Sequence, residues 1–582
     1  MNTKSEPTPL QEFVPFDRNV NDPADRIRVI GSGEIGGKAH GLVTLNQLLS
    51  GDQLKTTYRD ISIGVPVMTV LRTDVFETFV HNNDLSRYRD GEYTDAQIAH
   101  AFQAGELPFH ILGDLQSLVE GIRTPLAIRS SSLLEDATFE PFAGIYATKM
   151  IPNHQFDPGI RFQKLIEAIK YIFASTYFQS AKNYRMATGH DHQEERMAVI
   201  IQDVVGSKHH VRFYPELSGV ARSYNYYPMG RSKPEDGVVS LALGLGKTIV
   251  DGGMVWSYSP ARPRIGPPFG SIDELLKNSQ KEFWAINMGT PLVYDPIKET
   301  EYLIQEDLAA AEHDGTLDYL CSTYDPQSDR LVLGMANTGP RALTFGPLLQ
   351  LKKLPFNDLV KAILAVCEEE LDNPVEIEFA MTFSPPSLGL LQVRPMVVAS
   401  QTIQLTEDDL VQDDLLAASE NALGNGILDD IQDVVYVVPE RFDLAGTRKI
   451  AAELAEINAS LVGENRPYLL IVFGRLGSSD PWLGIPVNWG QISGTKVIIE
   501  TYQDDFNVEM SQGSHFFHNL TSLGVNYLAL PKTSQYKLDW DWLKAQTEIQ
   551  HTDFVRHIRT AKPLSIRIDG RSSRGIIQKP EV

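Results

Sequence analysis

Two glutamates, Glu376 and Glu378, stand two positions apart in an otherwise apolar stretch, VEIEFAM. Alternate side chains of a β-strand face the same side, so both carboxylates are expected to point the same way. Mg²⁺ is held by one or two carboxylates plus phosphate oxygens, and the pair therefore predicts a magnesium site beside a phosphorylated ligand. Gln392 and Arg394 repeat the spacing, and Arg394 is expected to reach a phosphate or to pair with a glutamate. The same pattern is typical of the polar outer face of a half-buried hairpin.

Two further cations have the surroundings expected of phosphate ligands. Lys38 follows two glycines at the start of a predicted helix, where backbone N–H groups and an ammonium both favour anions. Arg129 lies in a predicted strand, LAIRSSS, and a guanidinium can bind phosphate oxygens in a bidentate manner. The residues from Ser130 to Gly144 are expected to form a loop over the phosphates. Phosphoryl transfer depends mainly on such positioning and charge neutralisation.

Two glycine-rich motifs permit other interpretations. The segment GSGEIG at 31–36 follows a predicted strand and matches the dinucleotide-binding pattern, with Asp52 near the position of its acidic residue. This leaves a nicotinamide-dependent oxidoreductase as an alternative. The segment GLGKT at 244–248 resembles the end of a phosphate-binding P-loop, but Leu241 stands where that motif needs its first glycine. A glycine turn after a buried strand explains this second segment.

A set of motifs, taken in order, resembles the N-terminal ATP-binding domain of phosphoenolpyruvate synthase and pyruvate phosphate dikinase, which has an ATP-grasp-like fold. The motifs are GGKAHGL (36–42), AIRSSS (127–132) with ED (135–136), FAG (142–144), IIQ (200–202), SGVA (218–221), GLG (244–246), EIEFA (376–380) and LQVRP (391–395). The resemblance extends over roughly residues 26–400.

The resemblance implies an ATP-dependent, Mg²⁺-dependent phosphotransferase and a role for each matching residue. The nucleotide would be bound by Lys38, Arg129, Ser130, Gly144, Gln202, Gly244, Gly246 and Gln392, the metal by Glu376 and Glu378, and catalysis would use Arg129, Arg394 and His515. The chain departs from the family pattern at Lys247, where an acidic residue is usual, and at Glu376, where aspartate is usual. Lys247 puts the nucleotide contacts of that turn in doubt.

His515 is a candidate phosphoryl carrier because SQGSHFFH at 511–518 follows a predicted strand, KVIIETY, and loosely resembles the family's carrier motif. Phe516 and Phe517 stand where small residues are expected, so a packing role for His515 is the alternative. The segment GRLGSSDPWLG at 474–484 is either a loop for a polar or phosphorylated ligand or a tight loop with a packed tryptophan.

The elements that must position these residues predict an α/β (α+β) protein with two domains. Residues 1–25 are expected to be a lead-in, 26–400 the ATP-grasp-like domain, 401–430 an acidic linker, 431–562 a smaller α/β domain of phosphohistidine type, and 563–582 a polar tail. Fewer than 200 residues follow position 400, whereas a TIM barrel needs about 250, so the pyruvate-binding barrel of the full family architecture is not expected.

Composition excludes several function classes. The chain has 582 residues, a net charge of −23 and two cysteines. An acidic chain is not expected to bind nucleic acid, and two cysteines form no disulfide framework. Apolar runs are too short for a membrane span, so a cytoplasmic protein is predicted. The partners expected are ATP and a phosphoryl acceptor that the motifs do not specify. A second hypothesis is an ATP-binding regulatory or assembly module without turnover.

Overall fold

A computed structural model gives the fold of the chain. It describes residues 13–18, 26–89, 91, 93–133, 135, 145–188, 195–225, 232–251, 253–267, 271–290, 293–336, 338–396, 403–424, 426–464, 466–477, 484–487, 489–503, 525–570 and 572–580.

The described residues up to position 395 form mixed helices and strands. The helices are α1 (Gly37–Leu48), α2 (Asp52–Thr57), α3 (Thr73–Asn82), α4 (Asp95–Ala104), α5 (Phe109–Gly121), α6 (Pro158–Ser175), α7 (Gln179–Thr188), α8 (Lys247–Val250), α9 (Ile272–Asn278), α10 (Leu308–His313), α11 (Gly346–Leu349) and α12 (Phe356–Leu371), with 3₁₀ turns at Leu85–Tyr88 and Pro234–Asp236. The strands are β1 (Val14–Pro15), β2 (Ile27–Ile30), β3 (Ser62–Gly64), β4 (Met68–Leu71), β5 (Leu126–Ser132), β6 (Thr148–Ile151), β7 (Met197–Asp203), β8 (Ser207–His209), β9 (Arg212–Tyr214), β10 (Leu217–Arg222), β11 (Val238–Ala242), β12 (Trp256–Tyr258), β13 (Glu282–Asn287), β14 (Leu303–Asp307), β15 (Cys321–Asp325), β16 (Arg330–Leu333), β17 (Arg341–Leu343), β18 (Val375–Phe383) and β19 (Pro386–Pro395).

Two six-stranded sheets organise this part of the chain. The first sheet has the order β1-β2-β4-β7-β5-β6, and the second has the order β12-β11-β10-β18-β19-β3. A short connection between β3 and β4 carries the chain from the second sheet into the first. Smaller sheets of order β14-β13-β9-β8 and β16-β15-β17 complete the described part.

Helix α1 packs between the two large sheets. Its residues Ala39, Leu42 and Leu45 are buried in one core cluster together with residues of β4, β7, β10 and β18. Gly41 allows the close approach of α1 to β19, because a Cβ atom there would lie 2.9 Å from the carbonyl oxygen of Val393. The predicted helix over 38–49 and the predicted hairpin over 375–393 are therefore confirmed. The helix packs on β19, the second strand of that hairpin.

The second part of the chain is built on a nine-stranded sheet. Its elements are β20 (Leu415–Ser419), β21 (Ala422–Leu423), β22 (Gly426–Val437), α13 (Thr447–Gly463), β23 (Tyr468–Phe473), β24 (Arg475–Leu476), β25 (Gly484–Ile485), β26 (Thr495–Thr501), β27 (Asn526–Leu530), α14 (Trp540–Ala545), β28 (Thr547–His551), β29 (Val555–Asp569) and β30 (Arg574–Gln578), with 3₁₀ turns at Asp408–Val411, Pro439–Arg441, Leu444–Gly446 and Trp489–Gln491. The sheet has the order β20-β30-β29-β22-β23-β26-β27-β21, and β28 pairs with β29. The α/β class predicted from sequence is confirmed.

The predicted linker and tail are wrong over much of their length, because both contribute strands to this sheet. In β22 the exposed Asp429 and Asp430 precede buried residues, so the end of the predicted linker is the start of a strand. In β29 the buried residues Leu564, Ile566 and Ile568 alternate with polar ones, which is the period of a strand with one solvated face. The lead-in also takes part in the fold, since β1 pairs with β2.

Apolar packing joins the two parts of the chain. One core cluster extends from helices α3–α6 to residues of β22, β23, β26 and α13, and α7 contacts the turn Trp489–Gln491. Within the described residues, no helix has both the length and the apolar character required to span a bilayer.

A buried carboxylate, Asp433, joins strand β22 to β29 and to the segment that precedes β23. Its side chain is 1% exposed and accepts hydrogen bonds from His557 Nε2 at 2.7 Å, Arg559 Nε at 2.9 Å and Arg466 Nε at 2.7 Å. Burial would raise the pKa of Asp433, but these three hydrogen bonds outweigh it and lower the pKa to about 2. Because the folded-state pKa lies below the unfolded one, the stabilisation is complete above pH 4 and is lost as pH falls towards 2.

Replacing Asp433 with asparagine is expected to lower the free energy of unfolding by about 2–3 kcal/mol at pH 7, since two guanidinium groups lose their counter-charge. Urea unfolding at pH 7 and at pH 3 measures this, and the difference from the unmodified chain should shrink at the lower pH. Asp429→Asn, an exposed change on the same strand, is the control and should have little effect. Equal losses from both substitutions would contradict the assignment.

Candidate active site

Arg129 connects the two large sheets. It lies on β5 of the first sheet, and its guanidinium donates to Gln202 Oε1 on β7 at 3.3 Å. It also donates across to the second sheet, to the carbonyl oxygen of Leu391 at 2.6 Å and to Gln392 Oε1 at 3.2 Å. Only 12% of the side chain is exposed. Four hydrogen-bonding groups thus converge between the sheets, as expected for a site that spans them.

Glu378 lies beside this arginine. It is the cross-strand partner of Gln392 in the β18–β19 hairpin, and a carboxylate oxygen lies 3.8 Å from Arg129 Nη2. The side chain is 18% exposed, so the carboxylate is partly accessible to solvent. Arg129, Glu378, Gln392 and Gln202, which were selected from four separate motifs, are therefore brought together.

Glu376 has a different environment from Glu378, although the two share a strand face. Its carboxylate is 2% exposed and accepts hydrogen bonds from Arg222 Nε at 2.5 Å and from Arg394 Nε at 2.8 Å, with a further bond from Arg394 Nη2. Residue 376 is also the direct cross-strand partner of both arginines. Of the two roles predicted for Arg394, pairing with a glutamate is the one found. A metal ion at Glu376 would have to displace two guanidinium groups.

The start of α1 is fixed to the serines of β5. Lys38 Nζ donates to Glu135 Oε1 at 2.6 Å and to Ser130 Oγ at 3.2 Å, and its side chain is 11% exposed. Ser131 Oγ accepts from Ala39 N at 3.0 Å. Glu135, whose second oxygen accepts from the backbone N–H of residue 132, thus neutralises the ammonium group. The sequence analysis did not select Glu135 as a site residue, although Glu135 is the first residue of the ED motif at 135–136.

The glycine pattern at 31–36 is explained by internal packing. Gly36 has a φ of 77°, and a Cβ atom there would lie 1.8 Å from the carbonyl oxygen of Ser131. The backbone N–H and hydroxyl of Ser32 donate to the carboxylate of Asp74, at 2.8 and 3.1 Å. These contacts fold the loop against α3 and β5, so the pattern requires no dinucleotide.

The turn at 244–246 lies two strands away from β18. Gly244 has a φ of 83°, its carbonyl accepts from Ser218 Oγ at 2.6 Å, and the N–H of Leu245 donates to the carbonyl of Trp284 at 2.9 Å. Gly246 precedes the short helix α8, in which Lys247 forms an ion pair with Asp251 at 3.1 Å. The turn therefore links the second sheet to the four-stranded sheet. It follows a buried strand, β11, which agrees with the glycine turn predicted as the alternative to a P-loop.

Buried polar groups beyond these contacts add to the site. Gln202 is 1% exposed, and its Nε2 has no hydrogen-bond partner among the described residues, which leaves a donor to be satisfied. Burial raises the pKa of Glu195, while a hydrogen bond to Ser132 and the charge of Arg185 oppose that rise. Gly144 and His515 lie outside the described residues, as do positions 478–483 of the loop at 474–484.

Comparison with known proteins places the chain in a family. The model of the pyruvate phosphate dikinase AMP/ATP-binding domain matches residues 32–414, more than half of the chain, and the chain belongs to this family. The match ends directly before β20, the first strand of the C-terminal sheet. The resemblance predicted from the motifs is confirmed.

Two curated proteins illustrate what the chain is similar to. It is 26% identical over 393 residues to a phosphoenolpyruvate synthase of Aeropyrum pernix, a match that covers 63% of this chain and 41% of that protein. It is 25% identical over 224 residues to a rifampicin phosphotransferase of Bacillus cereus, with 38% of this chain and 23% of that protein covered. The matched region thus spans less than half the length of either relative.

Proposed function

We propose that the chain is an ATP-dependent phosphotransferase that binds ATP and Mg²⁺ between its two six-stranded sheets, in an ATP-grasp-like domain ending near residue 414. The observation that carries this proposal is the position of Arg129, whose guanidinium joins both sheets directly beside Glu378. Family membership and the names of both relatives support phosphoryl transfer.

Lys38 and Arg129 are the proposed phosphate ligands. Both are largely buried, and both are held by acceptors that an incoming phosphate could replace, Glu135 for Lys38 and Gln392 for Arg129. A positively charged group fixed before the reaction stabilises the charge that develops in the transition state at little cost in reorganisation. The unsatisfied Nε2 of Gln202 is a further proposed donor to the nucleotide.

Glu378 is the proposed magnesium ligand, and this narrows the pair predicted from sequence. Its carboxylate is partly exposed, and one of its oxygens lies 3.8 Å from Arg129 Nη2. Both oxygens of Glu376, in contrast, accept hydrogen bonds from arginines. Carboxylate and amide oxygens suit Mg²⁺, and the side-chain oxygen of Gln392 lies on the neighbouring strand. When bound, the ion would neutralise phosphate charge. Glu376 instead would fix Arg394, the second proposed catalytic cation.

The C-terminal domain is proposed to carry the phosphoryl group on His515, with the group passing from ATP to an imidazole nitrogen and then to an acceptor. The two relatives are named for different products, phosphoenolpyruvate and a phosphorylated rifampicin, so the domain they share with this chain does not define one acceptor. Pyruvate and rifampicin are the two acceptors to try first.

Incubation with Mg²⁺ and ATP labelled at the β or γ position tests the function. We expect consumption of ATP and acid-labile label on the unmodified protein, with no label on His515→Ala and normal label on His518→Ala, the matched control three residues away. Label on both variants would overturn the carrier role alone. Absence of ATP consumption with either acceptor would overturn phosphoryl transfer and favour the module that binds ATP without turnover.

A further inference from the structure

A cluster of metal-ligating side chains lies on the four-stranded sheet, apart from the proposed ATP site. His210 occupies the turn between β8 and β9, His313 is the last residue of α10, and Asp314 follows it. One ligating atom from each of the three lies within 4.8 Å of the others. The two imidazole rings have centroids 5.3 Å apart, and His313 Nδ1 is 3.7 Å from Asp314 Oδ1.

Neighbouring side chains hold one of the three groups, Asp314, in place. His210 has a φ of 52° and lies in the turn that joins β8 to β9. The carboxylate of Asp314 is held from the opposite side by Arg212, which donates at 2.8 and 3.0 Å, and by the hydroxyl of Tyr214 at 2.9 Å. These bonds tie the end of α10 to β9, so ligands from two separate elements meet without a change in the fold.

The charge balance of this cluster suits a cation. The carboxylate of Asp314 supplies one negative charge beside the guanidinium of Arg212. Glu306 lies 3.8 Å from Arg212 as well, so the one guanidinium faces two carboxylates and the group carries a net negative charge. The Asp314 Oδ1 atom accepts one hydrogen bond from Arg212, at 2.8 Å, and lies 3.7 Å from His313 Nδ1.

We propose that His210, His313 and Asp314 bind one divalent transition-metal ion of the Zn²⁺ class. Two imidazole nitrogens and one carboxylate oxygen, with a water molecule as fourth ligand, form a common tetrahedral donor set. Ligand atoms around such an ion lie about 3.4 Å apart, so the 3.7 Å pair is nearly in place, and the His210 nitrogen, within 4.8 Å of the other ligand atoms, must move closer. Imidazole donors favour this class over Mg²⁺, which prefers oxygen.

The bound ion would strengthen the sheet that carries one wall of the ATP-binding domain. Strand β13 pairs with β9, and it accepts the backbone hydrogen bond from Leu245 in the glycine turn at 244–246. A metal that links β9 to α10 therefore stabilises the support of that turn. The proposed ion thus acts through the fold of this sheet and lies apart from the magnesium proposed at Glu378.

Zinc titration of the full chain after treatment with a chelator tests the proposal. The affinity is measured by competition with a chromophoric chelator, and the unfolding temperature is recorded with and without ZnCl₂. We expect one equivalent of Zn²⁺, a rise in the unfolding temperature, and no such effect from MgCl₂. Asparagine tolerates the left-handed backbone, so His210→Asn and His313→Gln should both fold and should each weaken zinc binding about tenfold or more.

His110→Gln removes an exposed histidine from α5 and is the matched control, which should bind zinc like the unmodified chain. The metal-free unfolding temperature of each variant shows whether its fold is retained. Zinc affinity unchanged in both His210→Asn and His313→Gln, or the absence of stoichiometric binding to the unmodified chain, would overturn the site.

Discussion

Replacing Arg129 with lysine should slow ATP-dependent phosphoryl transfer by about 10²–10³-fold. The guanidinium makes three directed hydrogen bonds, to Gln202, Leu391 and Gln392, and so it holds the two sheets at one separation. A lysine keeps the charge but has a single nitrogen, so it cannot bind both sheets and a phosphate with the same geometry. The rate of ATP consumption under saturating Mg²⁺, with the best acceptor found, measures the effect.

Arg341→Lys provides a matched control for this substitution. Arg341 is also 12% exposed and also binds through two arms of its guanidinium, to Glu312, but it lies on β17 of the three-stranded sheet. Its replacement should leave the rate within about twofold, because Arg341 takes no part in the hydrogen bonds by which Arg129 joins the two six-stranded sheets. Comparable rate losses in the two variants would show that Arg129 acts only through general stability.

Replacing Glu376 with glutamine should lower the free energy of unfolding of the N-terminal domain by about 3–5 kcal/mol. The carboxylate is buried between Arg222 and Arg394, and its loss leaves two guanidinium charges in a site from which water is largely excluded. Urea unfolding followed by tryptophan fluorescence measures the change. The same experiment also separates the two roles considered for this residue, an anchor for arginines or a ligand for magnesium.

Glu378→Gln is the control on the same strand face. Its carboxylate is 18% exposed and lies 3.8 Å from its nearest described cation, so its removal should cost less than about 1 kcal/mol of stability. It should instead raise the Mg²⁺ concentration needed for nucleotide binding. If Glu376→Gln left stability unchanged and abolished the magnesium dependence, the assignment of the two glutamates would be reversed.

The sequence predicted well those parts of the site that local periodicity and motif order define. The two-residue period of a strand predicts which residues of each hairpin strand share a face. In the structure, the register of the hairpin pairs Glu378 directly with Gln392. Lys38 at the start of α1 followed from glycines before an apolar helix. The distinction between Glu376 and Glu378 could not be predicted, since it depends on Arg222, a residue of β10 that is remote in sequence.

The errors in domain organisation have one physical cause. Acidic residues over 401–430 and basic ones over 563–582 were interpreted by composition, as solvated segments. In the fold, parts of both segments belong to strands β22, β29 and β30, in which exposed residues such as Asp429 and Arg567 stand beside buried apolar ones. The alternation of Leu564, Ile566 and Ile568 with polar residues indicates a strand and could have been used to predict one. The long-range strand pairing that completes the sheet leaves no such local pattern.

The role of Glu135 shows a different limit. A carboxylate next to a predicted phosphate-binding lysine argues, by charge alone, against a phosphate site. In the structure it accepts from Lys38 and from the backbone of β5, and so it holds the ammonium in place before any ligand arrives. The ion pair between Lys38 and Glu135 depends on the turn after β5, which brings Glu135 back to that strand.

Isothermal titration of the full chain with ATP, in the presence of Mg²⁺ and again in the presence of EDTA, tests the central claim most directly. The account predicts one ATP site per chain, with affinity that falls markedly without Mg²⁺. In Glu378→Gln the affinity measured with Mg²⁺ should be lower and should depend less on Mg²⁺, and neither protein should bind NAD⁺ or NADP⁺. Absence of ATP binding under both conditions, or binding of a nicotinamide dinucleotide instead, would contradict it.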